Sequence, residues 1–60
     1  MTVRDLYLLT LDDASIIVKD AADVSVYFSG RFLDIPFKYM NYIIYQIRAI
    51  GNTLVVSVYN

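Results

Sequence analysis

The acidic side chains of this chain are all aspartates, at positions 5, 12, 13, 20, 23 and 34, and there is no Glu, His or Cys. That inventory narrows the chemistry at once. Without Cys there is no thiol nucleophile and no disulfide, and without His there is no imidazole base and no zinc site of the usual kind. What remains is hard-cation chemistry. Asp12, Asp13, Asp20 and Asp23 would hold a divalent ion if two loops met at one end of a sheet, and a metal-dependent nuclease is the only enzyme class they could build. Such a site needs several oxygen ligands held together, and neither a base nor a lysine partner accompanies these. Short Asp carboxylates more commonly close turns and cap helices, because they bond nearby backbone N–H groups. The expectation is a non-enzyme with no metal and no cofactor. The same four aspartates also form a candidate acidic patch that would mimic DNA phosphates in an effector's basic channel.

The second group able to do chemistry is aromatic and basic. Tyr27, Tyr39, Tyr42 and Tyr59, with Arg31, Lys38 and Arg48, contain the ingredients of a stacking platform for single-stranded nucleic acid. The basic half is thin: five Lys and Arg leave a formal net charge of −1. Duplex binding driven by counterion release needs a stronger positive field. Tyr and Arg, with Lys and Glu scarce, are also what protein interfaces enrich. An oligomer or partner interface is therefore expected at Tyr27, Tyr42, Ile44, Arg48, Val55 and Tyr59, with nucleic acid as the alternative ligand.

Sixty residues allow one small domain, spanning 1–60, near the lower limit for folding without staples. Hydrophobic residues make up 58% and charged ones 18%, against about 45–50% and about 25% in an average domain. So small a monomer buries only about 60% of its unfolded surface. The apolar excess needs a cover, and a homo-oligomer supplies it most simply. No apolar run approaches the roughly 18 residues of a membrane span, and Met1-Thr2-Val3-Arg4-Asp5 has no signal-peptide character. A bacterial host cytoplasm suits such a chain.

These side chains must be positioned by short elements, since Asp in place of Glu argues against long helices. Thr2 with Asp5 three residues on reads as a capping-box start. Val3, Leu6 and Leu9 or Thr10 then share a face that Leu8 and Leu11 broaden. The stretch 3–11 also alternates as a strand through Tyr7, Leu9 and Leu11; helix is expected, ended by Asp12-Asp13. Ser15 to Lys19 and Val24 to Ser29 read as a hairpin. A three-residue turn at 21–23 would set Ile16 opposite Phe28 and Val18 opposite Val26, leaving Ile17, Lys19, Ser25 and Tyr27 on the other face. Pro36 suits the first position of one helical turn through Phe37–Asn41. Tyr42 to Ile50 and Thr53 to Tyr59 form a second hairpin around Gly51-Asn52. Its apolar face would pair Tyr45 with Val58, Ile47 with Val56 and Ala49 with Leu54. Its mixed face would pair Ile44 with Tyr59, Gln46 with Ser57 and Arg48 with Val55. The fold class expected is α+β: a short N-terminal helix plus a four-stranded antiparallel sheet of two hairpins with a helical turn between.

The succession TVRDL, SIIVKD, VYFSG, DIP and NTLVVSV resembles a family of very small bacteriophage and prophage proteins. The likeness runs through Thr2–Leu6, Ile16–Asp20, Gly30, Asp34–Pro36 and Leu54–Val58. It departs where Phe37-Lys38-Tyr39-Met40 replaces a Leu-rich turn after the proline, and in its lack of Glu. The resemblance implies an accessory protein that antagonises a bacterial defence system in the manner of anti-CRISPR proteins, with a defence effector as partner.

Overall fold

The computed structural model describes residues 1–9, 14–23 and 25–59. In chain order they form helix α1 (Val3–Tyr7), strands β1 (Ser15–Asp20) and β2 (Val26–Arg31), two 3-10 turns (Phe32–Asp34 and Phe37–Tyr39), and strands β3 (Ile43–Ile50) and β4 (Thr53–Tyr59).

The class is α+β, but the sheet is mixed. Strand order is β2-β1-β4-β3, with both hairpins antiparallel and β1 parallel to β4, Ile16 beside Leu54 and Val18 beside Val56. A hairpin rule orders only neighbours in sequence. Residues 32–42 cross the sheet from one edge to the other, so β4 returns between β3 and β1. The two central strands carry the consecutive apolar runs Ile16-Ile17-Val18 and Leu54-Val55-Val56, of which Ile16, Val18 and Val56 are fully buried while Ile17 and Val55 lie half-buried on the opposite face.

The helix is shorter than its apolar pattern suggests. Its start is the expected capping box: the Asp5 N–H donates to Thr2 Oγ1 and the Thr2 N–H to Asp5 Oδ2 at 2.9 Å. Backbone carbonyls of Tyr42 and Met40 accept from Val3 and Arg4, so the otherwise orphaned first-turn donors are satisfied. Val3 and Leu6 are buried, whereas Leu8 and Leu9 are 70% and 61% exposed. The anticipated face breaks there, after five residues. Thr10, Leu11, Asp12 and Asp13, and with them the expected Asp12-Asp13 terminator, lie outside the described residues.

Two strand registers depart from expectation through β-bulges. In the first hairpin Val18 faces Phe28 and Ile16 faces Gly30, two residues from the anticipated pairing. The Asp20 N–H bonds to Ser25 O, so the loop is longer than three residues and Tyr27 becomes the extra residue of a bulge. A slip of two keeps Ile16, Val18 and Phe28 on the core side, but the bulge turns Val26 out beside Lys19 and Tyr27 inward against the core. Gly30 leaves room for Phe28 to lie along its own strand: a Cβ there would stand 3.1 Å from Phe28 Cζ. In the second hairpin Gln46, Ile47, Arg48 and Ala49 pair as expected. A bulge at Tyr45 then moves Ile44 opposite Val58 and Ile43 opposite Tyr59. Ile44 turns inward and Tyr45, 63% exposed, turns out. Gly51 takes φ +59°, as the primed hairpin turns require.

Against one face of the sheet pack α1 and the 32–40 crossover. Val3, Leu6, Phe32, Ile35, Tyr39 and Met40 meet Ile16, Val18, Val56 and Val58 there, all buried. Phe32 and Tyr7 stack at 5.8 Å between centroids. Pro36 stands one position before its 3-10 turn rather than inside it, and its carbonyl accepts from Tyr39. The cover stops short of β3, so Ile47 stays 40% exposed though it faces Val56.

Candidate functional site

The uncovered side of the sheet is the candidate site, and the strand register maps it row by row. One row runs Arg31, Ser15, Thr53, Ile50; the next Ser29, Ile17, Val55, Arg48; the third Val26, Lys19, Ser57, Gln46; the last carries Tyr59 and Ile43. Tyr45, thrown outward by its bulge, sets its ring edge-on to Tyr59 at 5.4 Å. Val26, Ile43, Tyr45, Ile50 and Tyr59 are among the exposed large apolar residues of the chain. Ser57, in the middle, is buried among its neighbours.

Charge is segregated across the sheet. Lys19, Arg31 and Arg48, three of the five basic residues, sit on this face, and no acid among the described residues does. Strand spacing of ~4.8 Å and a rise of ~3.4 Å per residue put them roughly 12–16 Å apart at the backbone. They are therefore a spread of three separate cations rather than one focus.

The aspartates are occupied elsewhere. Asp5 is bound into the capping box, which holds its carboxyl below the ordinary aspartate value, chiefly through the Thr2 backbone N–H. Asp20 Oδ1 accepts from the Ala22 N–H at 3.0 Å and Oδ2 from the Tyr27 hydroxyl at 3.1 Å. Asp23 accepts from the Ser25 hydroxyl at 3.2 Å. Both are turn residues in the sense expected of Asp. Asp12 and Asp13 lie outside the described residues, so the four-aspartate patch has only Asp20 and Asp23 placed. Among the described residues no three acids gather where they could hold a metal ion.

The expected interface residues divide in two. Arg48, Val55 and Tyr59 share the open face, with Arg48 directly opposite Val55. Ile44 does not join them: half-buried, it packs against the core side. Tyr27 and Tyr42 belong with Tyr39 to an internal cluster in which each ring touches the other two, with centroids 5.3–5.6 Å apart. Tyr39 donates its hydroxyl to the Tyr27 carbonyl at 3.0 Å, and Lys38 lies over the Tyr39 ring at 5.1 Å. Desolvation, then the bond to Asp20, pushes the Tyr27 hydroxyl above its ordinary pKa. A stacking platform built on Tyr27, Tyr39 and Tyr42 is thereby corrected: these rings hold each other. The exposed pair is Tyr45 with Tyr59. Reasoning from pattern missed Tyr45 and Ile43, because the bulge in β3 reverses alternation from its position onward; pattern alone puts Lys19 on the outer face but does not join it to the site.

No family model, curated protein or solved structure matches the chain.

A second surface lies beside α1, where Arg4, Tyr7, Leu8, Phe37 and Met40 line a shallow groove of about 250 Å³. Phe37 stands 84% exposed on its rim. No helix among the described residues is long and apolar enough to cross a membrane.

Proposed function

We propose that this chain is a non-enzymatic binding module that works through protein–protein contacts made by the open face of its sheet. The observation that carries this is the composition of that face: exposed Tyr45, Tyr59, Ile43 and Ile50 interleaved with Lys19, Arg31 and Arg48, without an acid among the described residues. Tyr and Arg anchors amid apolar side chains are the usual centre of a protein interface. Face-to-face pairing of two copies would set three cations against three, and like charges across an interface are repulsive. The partner of this face is therefore a foreign surface that is acidic and partly apolar.

The resemblance to small phage proteins supplies the biological setting: an accessory protein acting in the bacterial host cytoplasm against a defence effector. In a bacterium with CRISPR immunity, expression of the chain should raise the plating efficiency of a targeted phage. Arg48→Glu should abolish the effect while the circular-dichroism spectrum is kept. Protection that Arg48→Glu leaves intact would remove this face from the function. If the chain protects against neither CRISPR nor other defence systems, the anti-defence reading fails.

One observation favours a second reading. Two exposed tyrosines beside three cations, with no acid on that face among the described residues, also suit a single nucleic-acid strand, whose bases stack and whose phosphates need positive charge. Fluorescence anisotropy with a labelled oligothymidine separates the two. Salt-sensitive binding whose slope flattens in Arg48→Glu would replace the protein partner with a nucleic-acid one.

A further inference from the structure

We infer that the outer edge of β3 is a self-association surface, where a second copy of the chain adds its own β3 antiparallel and extends one sheet across both molecules. The inference rests on the expectation that this apolar chain associates with itself, and names the surface that does so.

Gly51 and Asn52 form a two-residue turn closed by Ile50 and Thr53, and the pair closing such a turn exchanges both backbone hydrogen bonds. By alternation Arg48 with Val55 and Gln46 with Ser57 are also bonded pairs. The N–H and C=O groups of Ile47 and Ala49 then point away from β4, off the sheet. Nearer its start the same edge is already occupied: Thr2 bridges Ile43, the Ile44 N–H bonds to Met1 O at 2.8 Å, and the Val3 N–H to Tyr42 O at 3.0 Å. The open part is therefore the run from Gln46 to Ile50, beyond the bulge.

That run lacks the devices that keep edges apart. It has no Pro, no Lys and no inward-pointing charge, and Arg48 alone is charged. The opposite edge, β2, is different. Its Tyr27 carbonyl already accepts from Tyr39, and it ends in Arg31.

Clearance and side chains together select the register. A two-fold axis at Ala49 sets Ala49 against the partner's Ala49, Arg48 against the partner's Ile50 and Ile47 against the partner's Gly51, all clear of the occupied start of the strand. An axis at Ile47 would instead bring the partner's Ile50 and turn onto the place that Met1 and Thr2 hold beside Ile44 and Ile43. Shifting by one residue in each chain would place Arg48 against the partner's Arg48, a like-charge pair that opposes association. The contact is narrow compared with the roughly 800 Å² per partner of a standard interface, about a fifth of this chain's 3958 Å² surface. Its strength therefore belongs to the weak, micromolar class. Such a pair keeps both open faces on one side, doubling the cationic platform without apposing it.

Light scattering and sedimentation over a concentration series test this. The wild type should approach twice 6.9 kDa at high micromolar concentration. Ala49→Pro removes an N–H that points outward, which edge strands tolerate, and should remain folded at the mass of one chain with dimer affinity down at least tenfold. Ile47→Lys should do the same without altering the backbone, and decides the matter should the proline variant not fold. A two-chain mass unchanged in both variants would overturn the edge while leaving self-association standing. A one-chain wild-type mass throughout would overturn both, and a mass beyond two chains would overturn the closed pair.

Discussion

Truncating Ile16 is the sharpest test of how this small core is built. Ile16 is fully buried on a central strand, with Gly30 on one side and Leu54 on the other. Ile16→Ala removes three carbons, about 2.4 kcal/mol at ~0.8 kcal/mol each. A residual cavity adds to this, giving roughly 3–5 kcal/mol in all. A 60-residue domain has only about 3–9 kcal/mol of stability, so the variant should be largely unfolded or barely folded at room temperature. Where folded, its melting temperature should fall by at least about 12 °C, at roughly 4 °C per kcal/mol. The matched control is Ile50→Ala, since Ile50 is 62% exposed beside the turn; it should cost well under about 1 kcal/mol, in keeping with surface substitutions. Urea denaturation followed by circular dichroism measures both. Equal midpoints would refute a core centred on β1 and β4, and would mean that the β3 edge carries as much buried area as the centre of the sheet.

Thr2→Ala breaks the capping box and should lower stability by about 1 kcal/mol. The Asp5 carboxyl has a lowered folded pKa, so its contribution is present above the unfolded value and is lost as pH falls through the folded one. Accordingly, the acid limb of the stability profile should be shallower in Thr2→Ala; an unchanged limb would detach Asp5 from the cap. Tyr27 shifts the other way. With its pKa raised above 10.0, its contribution holds below that value and disappears as pH rises through the folded pKa. An ultraviolet titration should show one late-ionising tyrosine that Tyr27→Phe removes, and its persistence would place the late group elsewhere. Gly51→Ala forces a side chain into φ +59° and should cost about 1 kcal/mol in thermal melts; a neutral result would argue against the tight turn.

What could be read from the residues alone was local. The Thr2–Asp5 capping box, the Gly51-Asn52 turn and the pairing from Gln46 to Ala49 all involve groups close in sequence, where turn chemistry and side-chain reach dictate geometry. The turn roles of Asp20 and Asp23 were legible for the same reason. Three features were decided only by the tertiary structure. The parallel pairing of β1 with β4 joins strands almost forty residues apart, and depends on the 32–42 crossover finding buried places for Phe32, Ile35, Tyr39 and Met40. The bulges at Tyr27 and Tyr45 reverse alternation, sending Tyr45 outward and Ile44 inward, because the strands must meet a longer loop at one end and the bridge from Thr2 at the other. The net charge of −1 concealed a sheet face whose described charges are all positive. Charge composition is a sum over the chain; a surface field depends on which residues the register places side by side.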